Sequence, residues 1–96
     1  MRRPYLVAYD IADPRRLRQT HKTLRLYGEH WQESVFFCVL KNIDRVRLEA
    51  DLLKIINRAH DKLFILDLGP DEATARERFS QLGQNLIEPK HGFLIL

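Results

Sequence analysis

The stretch VAYDIADPRR, residues 7–16, joins the end of an apolar segment to the start of a helix. Residues 5–11 are aliphatic, aromatic or β-branched at nearly every position, which is typical of a central strand covered on both faces. Asp13 and Pro14 then supply an N-cap and a proline at the first helical position, where no N–H is needed. The stretch predicts a buried strand that leads directly into a helix ending near Tyr27, with Gly28 as its stop.

Two further strand-like segments follow this helix. Residues 29–40, EHWQESVFFCVL, are interrupted by polar residues 32–34, so they form either one long bent strand or a tight hairpin of two short strands. We favour the hairpin. Residues 61–68, DKLFILDL, predict another strand, and the turn signal of residues 69–71 precedes a short helix that ends at Gly83.

A second helix, DRVRLEADLLKIINRAH, lies between these strands and is capped by Asn42 or Asp44. An approximate apolar stripe should dock it on the sheet through Val46, Leu52, Leu53, Ile55 and Ile56. The element order β-α-β-β-α-β predicts an α+β, ferredoxin-like domain, in which two helices cover one face of a four-stranded antiparallel sheet. The other face stays open in this prediction, so it must be polar, bind a ligand or pack against a second copy.

The length of 96 residues fits one domain, residues 1–96, and the last residues form a short apolar strand, GFLIL. Because a free apolar edge strand is an aggregation hazard, this strand pairs either with its own sheet or with that of a neighbouring subunit. We favour the second alternative and predict a homodimer that exchanges residues 84–96 as an extra C-terminal strand.

Composition argues against secreted and membrane-spanning proteins. The single cysteine, Cys38, cannot form an internal disulfide, and its apolar neighbours favour a buried hydrophobic residue over a reactive thiol. No stretch approaches the length of a membrane-spanning helix, and the apolar part of residues 1–9 is too short for a signal peptide. We predict a cytoplasmic protein with no membrane partner.

The positive charge is concentrated in the first third of the chain. Residues 1–30 hold seven Lys/Arg and three Asp/Glu, whereas residues 31–96 hold nine and ten. Four cations of the first helix fall on one face with no acid among them: Arg15, Arg18, Lys22 and Arg25. This basic stripe is either a solvated face or a surface for an anionic partner. We favour nucleic acid, whose phosphates release counterions when they are neutralised.

Asp10 is the only acid in the first strand, and alternation places it on one face with Leu6 and Ala8. A carboxylate at the end of a buried strand needs an opposite charge, hydrogen bonds or a metal ion. One interpretation is an ion pair with Arg15 or Arg16, or a contact with N–H groups of the helix. The other is a divalent metal site for phosphodiester cleavage, in which a two-fold dimer supplies the second carboxylate.

The other residues carry weaker signals. The four histidines show no zinc spacing. Trp31, Phe36 and Phe37 could stack on bases, but aromatic side chains in a strand are more often part of the core.

Four short elements of the first 40 or so residues, in order and spacing, resemble the Cas-two proteins, the small adaptation-stage subunits of CRISPR systems. They are Tyr9-Asp10-Ile11, Arg15-Arg16, Tyr27-Gly28, and Gln32 with Ser34-Val35-Phe36. The resemblance implies a ferredoxin-like homodimer whose last strand pairs with the partner's sheet. It also implies that the dimer bridges two dimers of the Cas-one integrase and holds the duplex DNA that becomes a spacer.

The resemblance further implies a metal-dependent endonuclease for RNA or duplex DNA. Asp10 would be its catalytic carboxylate and would bind Mg²⁺ or another divalent cation such as Mn²⁺. The residues flanking this site would be Tyr9, Ser34 and Phe36. Arg16 would flank it as well. Together with the basic stripe that helical spacing predicts, it completes the predicted nucleic-acid-binding set of Arg15, Arg16, Arg18, Lys22 and Arg25. Single-stranded RNA is a further possible substrate.

One departure from the family pattern bears on cleavage. Many members have an acid directly after Ser-Val-Phe, where this chain has Phe37. This removes a possible second carboxylate, so a non-catalytic DNA-binding scaffold with a vestigial metal site is the alternative function. A third hypothesis, independent of the resemblance, is a dimeric ferredoxin-like domain that binds a small anion or another protein.

Overall fold

The computed structural model describes residues 1–82, with side chains to residue 79, and its four strands form one antiparallel sheet. The order across the sheet is β2-β3-β1-β4. The elements are β1 (Arg2–Asp10), α1 (Pro14–Arg25), β2 (Glu29–Gln32), β3 (Val35–Lys41), α2 (Asn42–Ile55), β4 (Lys62–Asp67) and α3 (Glu72–Leu82). This is the predicted α+β, ferredoxin-like arrangement. The predicted exchanged strand, residues 84–96, lies outside the described residues.

The junction between β1 and α1 forms as its local sequence predicts. The Asp13 carboxylate accepts a hydrogen bond from the backbone N–H of Arg16 at 2.9 Å, and Pro14 occupies the first turn. Past the end of α1, Gly28 passes close to β3. A Cβ atom at this position would lie 2.4 Å from Cys38 Sγ and 2.5 Å from the carbonyl oxygen of Phe37. The glycine is therefore required by the close approach of two backbones.

The segment of residues 29–40 is a hairpin, as favoured, and it contains a register shift between His30 and Gln32. Its turn is tied to the neighbouring strand by a hydrogen bond from the backbone N–H of Tyr9 to the carbonyl oxygen of Ser34, at 3.1 Å. The hairpin turn therefore lies beside the end of β1, where Asp10 is located.

Alternate residues of β1 build the main core against α1 and α2. Tyr5, Val7 and Tyr9 are buried in one cluster with Leu24 of α1 and with residues of β3 and α2. Cys38 is buried in the same cluster, which confirms its interpretation as a core residue, and burial raises the pKa of its thiol to about 12.

The cap predicted for α2 is wrong, and its predicted apolar stripe is right only in part. Lys41 is the N-cap, because the helix begins at Asn42 directly after β3, and its side chain has no acceptor with which to make a cap hydrogen bond. Of the predicted stripe, Leu52 is buried and Ile56 packs against the core, whereas Val46 and Leu53 are 49% and 47% exposed. The buried Leu48 was not predicted. A hydrogen bond of 2.8 Å from the Tyr27 hydroxyl to Asp51 fixes this rotation of the helix.

The second face of the sheet is only half open, which corrects the prediction of an uncovered face. Helix α3 packs over β2 and β3, where Ala75 and Phe79 contact Trp31 and Phe37. The rings of Trp31 and Phe37 are parallel, with centroids 4.4 Å apart, and the guanidinium of Arg76 lies 4.5 Å from the Phe37 ring centroid. These contacts join residues far apart in sequence, so the helix pattern alone did not reveal them.

The part of this face along β4 remains exposed, whereas Leu6 of β1 packs against the cluster under α3. Phe64 and Leu66 of β4 are 58% and 49% exposed, and they pair in register with Ala8 and Leu6. Within residues 1–82, no helix is both long enough and apolar enough to cross a membrane.

Candidate nucleic-acid and metal site

Asp10 ends β1 as an exposed residue opposite Lys62 of β4. It lies on the face of Leu6 and Ala8, as the alternation of the strand predicts. Among residues 1–79, its carboxylate forms no ion pair, with Arg15, Arg16 or any other cation. The carboxylate is therefore available to an outside ligand.

The interpretation that Arg16 forms an ion pair with Asp10 is wrong. Arg16 donates to Asp61 from Nε at 2.7 Å and from Nη2 at 3.1 Å. The Asp61 side chain is fully buried and also accepts the backbone N–H of Asn57 at 2.8 Å. The hydrogen bonds from Arg16 lower the pKa of Asp61. This Arg16–Asp61 pair ties the start of α1 to the loop before β4, and a role of Arg16 in binding nucleic acid stays a prediction.

A cavity of about 540 Å³ lies between α2 and β4, but five of the nine predicted site residues line a different one. That second cavity, of about 730 Å³, lies between the end of β1, α1 and the hairpin turn. We call it the strand-end cavity. Its lining includes five predicted residues and five others: Tyr9, Asp10, Arg18, Lys22 and Ser34, with Ile11, Leu17, His21, His30 and Glu33. The predicted residues Arg15, Arg16, Arg25 and Phe36 do not line it.

Tyr9 supports the strand-end cavity from within the core. Its ring is buried, and its hydroxyl donates to the carbonyl oxygen of Glu33 at 3.2 Å. Burial, aided by the charge of Glu33, raises the pKa of Tyr9 to about 12. The phenol therefore stays protonated near neutral pH, where it holds the hairpin turn beside Asp10 rather than acting as a base.

Two histidines meet in the cavity wall. The rings of His21 and His30 are perpendicular with centroids 4.4 Å apart, and His30 stacks on Phe36 at 4.7 Å. Burial, the neighbouring His30 and the charge of Arg25 lower the pKa of His21, in that order of effect. No pattern in the sequence pointed to this pair, because it forms only when α1 docks beside β2. Phe36 is itself fully buried behind the histidines.

The basic stripe of α1 is a free surface, as predicted. Its four residues are exposed, and none forms an ion pair within the described part of the chain: Arg15, Arg18, Lys22 and Arg25. The opposite side of the helix is anchored by the buried residues Thr20 and Leu24. The docked helix therefore presents uncompensated positive charge outward, beginning beside the strand-end cavity.

One chain offers a metal ion few ligands. Residues 1–79 contain no group of three or more His, Cys, Asp or Glu side chains arranged to hold one. Mg²⁺ is commonly held by one or two carboxylates and keeps several waters. The exposed, unpaired Asp10 fits that requirement as a single ligand, and a second copy of the chain would add another.

Comparisons with known proteins agree on one family. The family model described as CRISPR associated protein Cas2 matches residues 3–76. CRISPR-associated endoribonuclease Cas2 1 of Rhodospirillum rubrum is 48% identical over 68 residues, covering 71% of this chain and 67% of that protein. CRISPR-associated endoribonuclease Cas2 of Geobacter sulfurreducens is 41% identical over 80 residues, covering 83% of each chain.

Solved structures show the same likeness. Streptococcus pyogenes Cas2 at pH 6.5 aligns with a TM-score of 0.71 and 30% identity over 78% of this chain and 93% of that one. A hypothetical protein, TT1823 from Thermus thermophilus, aligns with a TM-score of 0.70 and 33% identity over 72% and 84%. The chain therefore belongs to the CRISPR-associated Cas2 family, the Cas-two family that its N-terminal motifs resemble.

Proposed function

We propose that this chain acts in CRISPR adaptation as a homodimer that binds duplex DNA and bridges two dimers of the Cas-one integrase. Membership of the Cas2 family supports the role in adaptation. The basic stripe of α1 carries the DNA-binding part of the proposal, because four exposed like charges on one face are stabilised by an anionic partner. A helix face that contacts only solvent would not require four cations in a row with no acid among them.

The half-open face of the sheet supports a homodimer. Ala8, Phe64 and Leu66 form an apolar row on β1 and β4, and Asp10 lies at the end of the same face. A second copy covering this row by two-fold symmetry would bury the apolar side chains and bring two Asp10 carboxylates together. Exchange of residues 84–96 would add a paired strand at the sheet edge.

The proposed activity is cleavage of phosphodiester bonds in RNA or duplex DNA. The relatives named above are endoribonucleases by name. Asp10 from each chain would hold Mg²⁺ or Mn²⁺, which would supply charge stabilisation and an activated water. The chain itself would contribute the exposed carboxylate at the strand end, while Tyr9 and Ser34 position the adjacent hairpin turn.

The test compares Asp10→Asn with Asp13→Asn in a cleavage assay with Mg²⁺ and with a chelator. Asp13→Asn is the matched control, because asparagine also caps helices well and this carboxylate lies outside the strand-end cavity. Loss of Asp10 should reduce cleavage by more than about 100-fold, since even outer-shell partners of metal ligands account for about 10–100-fold. The control should cleave like the parent.

The possible outcomes separate the two candidate functions. Equal cleavage by Asp10→Asn and the parent would refute the metal site at Asp10. Absence of cleavage by the parent, together with tight duplex binding, would support the non-catalytic scaffold. Sedimentation should give a single species of twice the 11.4 kDa chain mass, and a monomer at working concentration would refute the homodimer.

A further inference from the structure

The outer side of α2 carries an exposed row of apolar residues. Ile43, Val46 and Leu53 are 58%, 49% and 47% exposed, and Ala50 between them is exposed as well. Their spacing of 3, 4 and 3 residues places them along one line of the helix, about 15 Å long. We call these four residues the α2 stripe. The buried residue Leu48 lies on roughly the opposite side of the helix, so the α2 stripe points away from the sheet.

The spacing of the α2 stripe is the pattern of a helix that pairs with another helix. In the heptad abcdefg, apolar residues at a and d alternate at intervals of three and four and form the seam between two helices. Ile43 and Ala50 take the a positions, and Val46 and Leu53 take the d positions. Their exposure shows that no element among the described residues covers this seam.

The charges beside the α2 stripe differ on its two sides. Arg47 and Lys54 take the e positions on one side. In the described part of the chain, Lys54 has no ion-pair partner, and Arg47 has only a contact of 4.0 Å with Asp44 of the same helix. On the other side, Glu49 already pairs with Arg45 at 3.3 Å. A complementary helix would therefore bring carboxylates to the side of the two cations.

A second copy of the chain does not complement this surface. A two-fold axis across α2 would make the two helices antiparallel and place Arg47 and Lys54 of one copy against the same cations of the other. A two-fold axis along α2 would create a second two-fold interface, on the side of the sheet opposite to the apolar row of β1 and β4. Two such interfaces on opposite sides would link chains into an open array rather than a closed oligomer.

A strand added at the sheet edge would not cover the α2 stripe either. Leu53 is the one member of the stripe that also lines the cavity between α2 and β4. Ile43, Val46 and Ala50 lie outside that cavity. A strand paired with β4, such as the proposed exchanged segment, would therefore leave most of the stripe uncovered.

We propose that the α2 stripe docks an amphipathic helix of another protein, with apolar residues at heptad spacing and carboxylates on the side that faces Arg47 and Lys54. The inference goes beyond the proposed function and uses a different surface. It involves neither the basic stripe of α1 nor Asp10, so the two proposals can fail separately.

The test measures binding of a labelled helical peptide to the full chain by fluorescence anisotropy. The peptide spans three heptads, with leucine at a and d and glutamate at e and g, and a second peptide carries lysine in place of glutamate. At low salt, the parent should bind the acidic peptide about tenfold more tightly than the basic one. High salt should reduce this difference, because it screens exposed charges.

Three variants separate the apolar and the charged contributions. Val46→Gln combined with Leu53→Gln should weaken binding of the acidic peptide by more than about tenfold, because two apolar contacts are lost. Leu26→Gln is the matched control, since Leu26 is 83% exposed and follows α1, outside the α2 stripe. Lys54→Glu should shift the preference toward the basic peptide. All the altered side chains are exposed, so the urea midpoints should match that of the parent.

The inference is overturned if the parent does not bind the acidic peptide, if it binds both peptides equally, or if the double variant binds as the parent does. It is also overturned if the parent alone sediments as a species heavier than a dimer and the double variant does not, because a second copy is then the occupant. Duplex affinity should be the same for the parent and the double variant. Absence of duplex binding by the parent refutes the proposed function alone.

Discussion

Replacing the four residues of the basic stripe by glutamine should flatten the salt dependence of DNA binding. Each of these side chains is exposed and has no ion-pair partner in the described part of the chain, so each is free to contact a phosphate. Glutamine has nearly the helix propensity of arginine and lysine, and the buried residues Thr20 and Leu24 are untouched. We therefore expect the fold of α1 to survive the change.

The size of the effect follows from the number of charges. Each phosphate neutralised on duplex DNA contributes a slope of about −0.9 to the logarithm of the binding constant against the logarithm of salt concentration. Four contacts on one chain therefore correspond to a slope of about −3.6. Between about 50 and 200 mM salt, the parent should lose about 150-fold more affinity than the variant.

Fluorescence anisotropy with a labelled duplex over a series of NaCl concentrations measures both slopes. A control variant carries the same loss of charge at four exposed cations outside α1, namely Lys41, Arg47, Lys54 and Arg58. The reasoning is refuted if the α1 variant lowers the slope by less than about one, or if the control lowers it equally.

Three smaller changes test the packing around the site. Gly28→Ala should destabilise the fold by about 2–3 kcal/mol in urea denaturation, because its Cβ would collide with backbone atoms of β3; an unchanged midpoint would contradict this. Thr20→Val should stabilise it by about 1 kcal/mol, since the buried Thr20 hydroxyl has no hydrogen-bond partner in the described structure, and a loss of stability would show that it has one. Asp61→Asn should weaken the acid sensitivity of the fold. Because Arg16 lowers the pKa of Asp61, the ionised Asp61 carboxylate stabilises the fold at pH values above its ordinary pKa of 3.8. This contribution to the free energy of unfolding is lost as the pH falls further. Equal acid unfolding of parent and variant would contradict this.

The elements that sequence predicted best are those set by local signals. Asp13 and Pro14 define the start of α1 without any tertiary contact, and the polar residues 32–34 define the hairpin turn. The order of strands in the sheet then follows from the order of elements and from the limited ways in which they connect. The exposure of the basic stripe was predictable for the same reason, because the helical period alone places its charges together.

The elements that sequence missed depend on contacts between distant residues. Helix α2 has apolar side chains on more than one side, so its rotation was decided by Leu48, Leu52 and the Tyr27–Asp51 hydrogen bond. The partner of Arg16 lies 45 residues away, in a loop with no sequence signal for a buried carboxylate. The histidine pair likewise unites a helix and a strand, and the spacing of their positions does not reveal that they meet.

The position of α3 has a consequence for how two sheets could align. By resting on Trp31, Phe37 and the neighbouring Leu6, this helix leaves uncovered a strip along β4 and the Ala8 end of β1. A neighbouring copy that packed on this strip would contact the side of α3 along one edge. In the proposed homodimer, the lateral offset of the two sheets is then set by an aromatic pair outside the strip. In that homodimer, Phe37 would thus help to determine how the two sheets align.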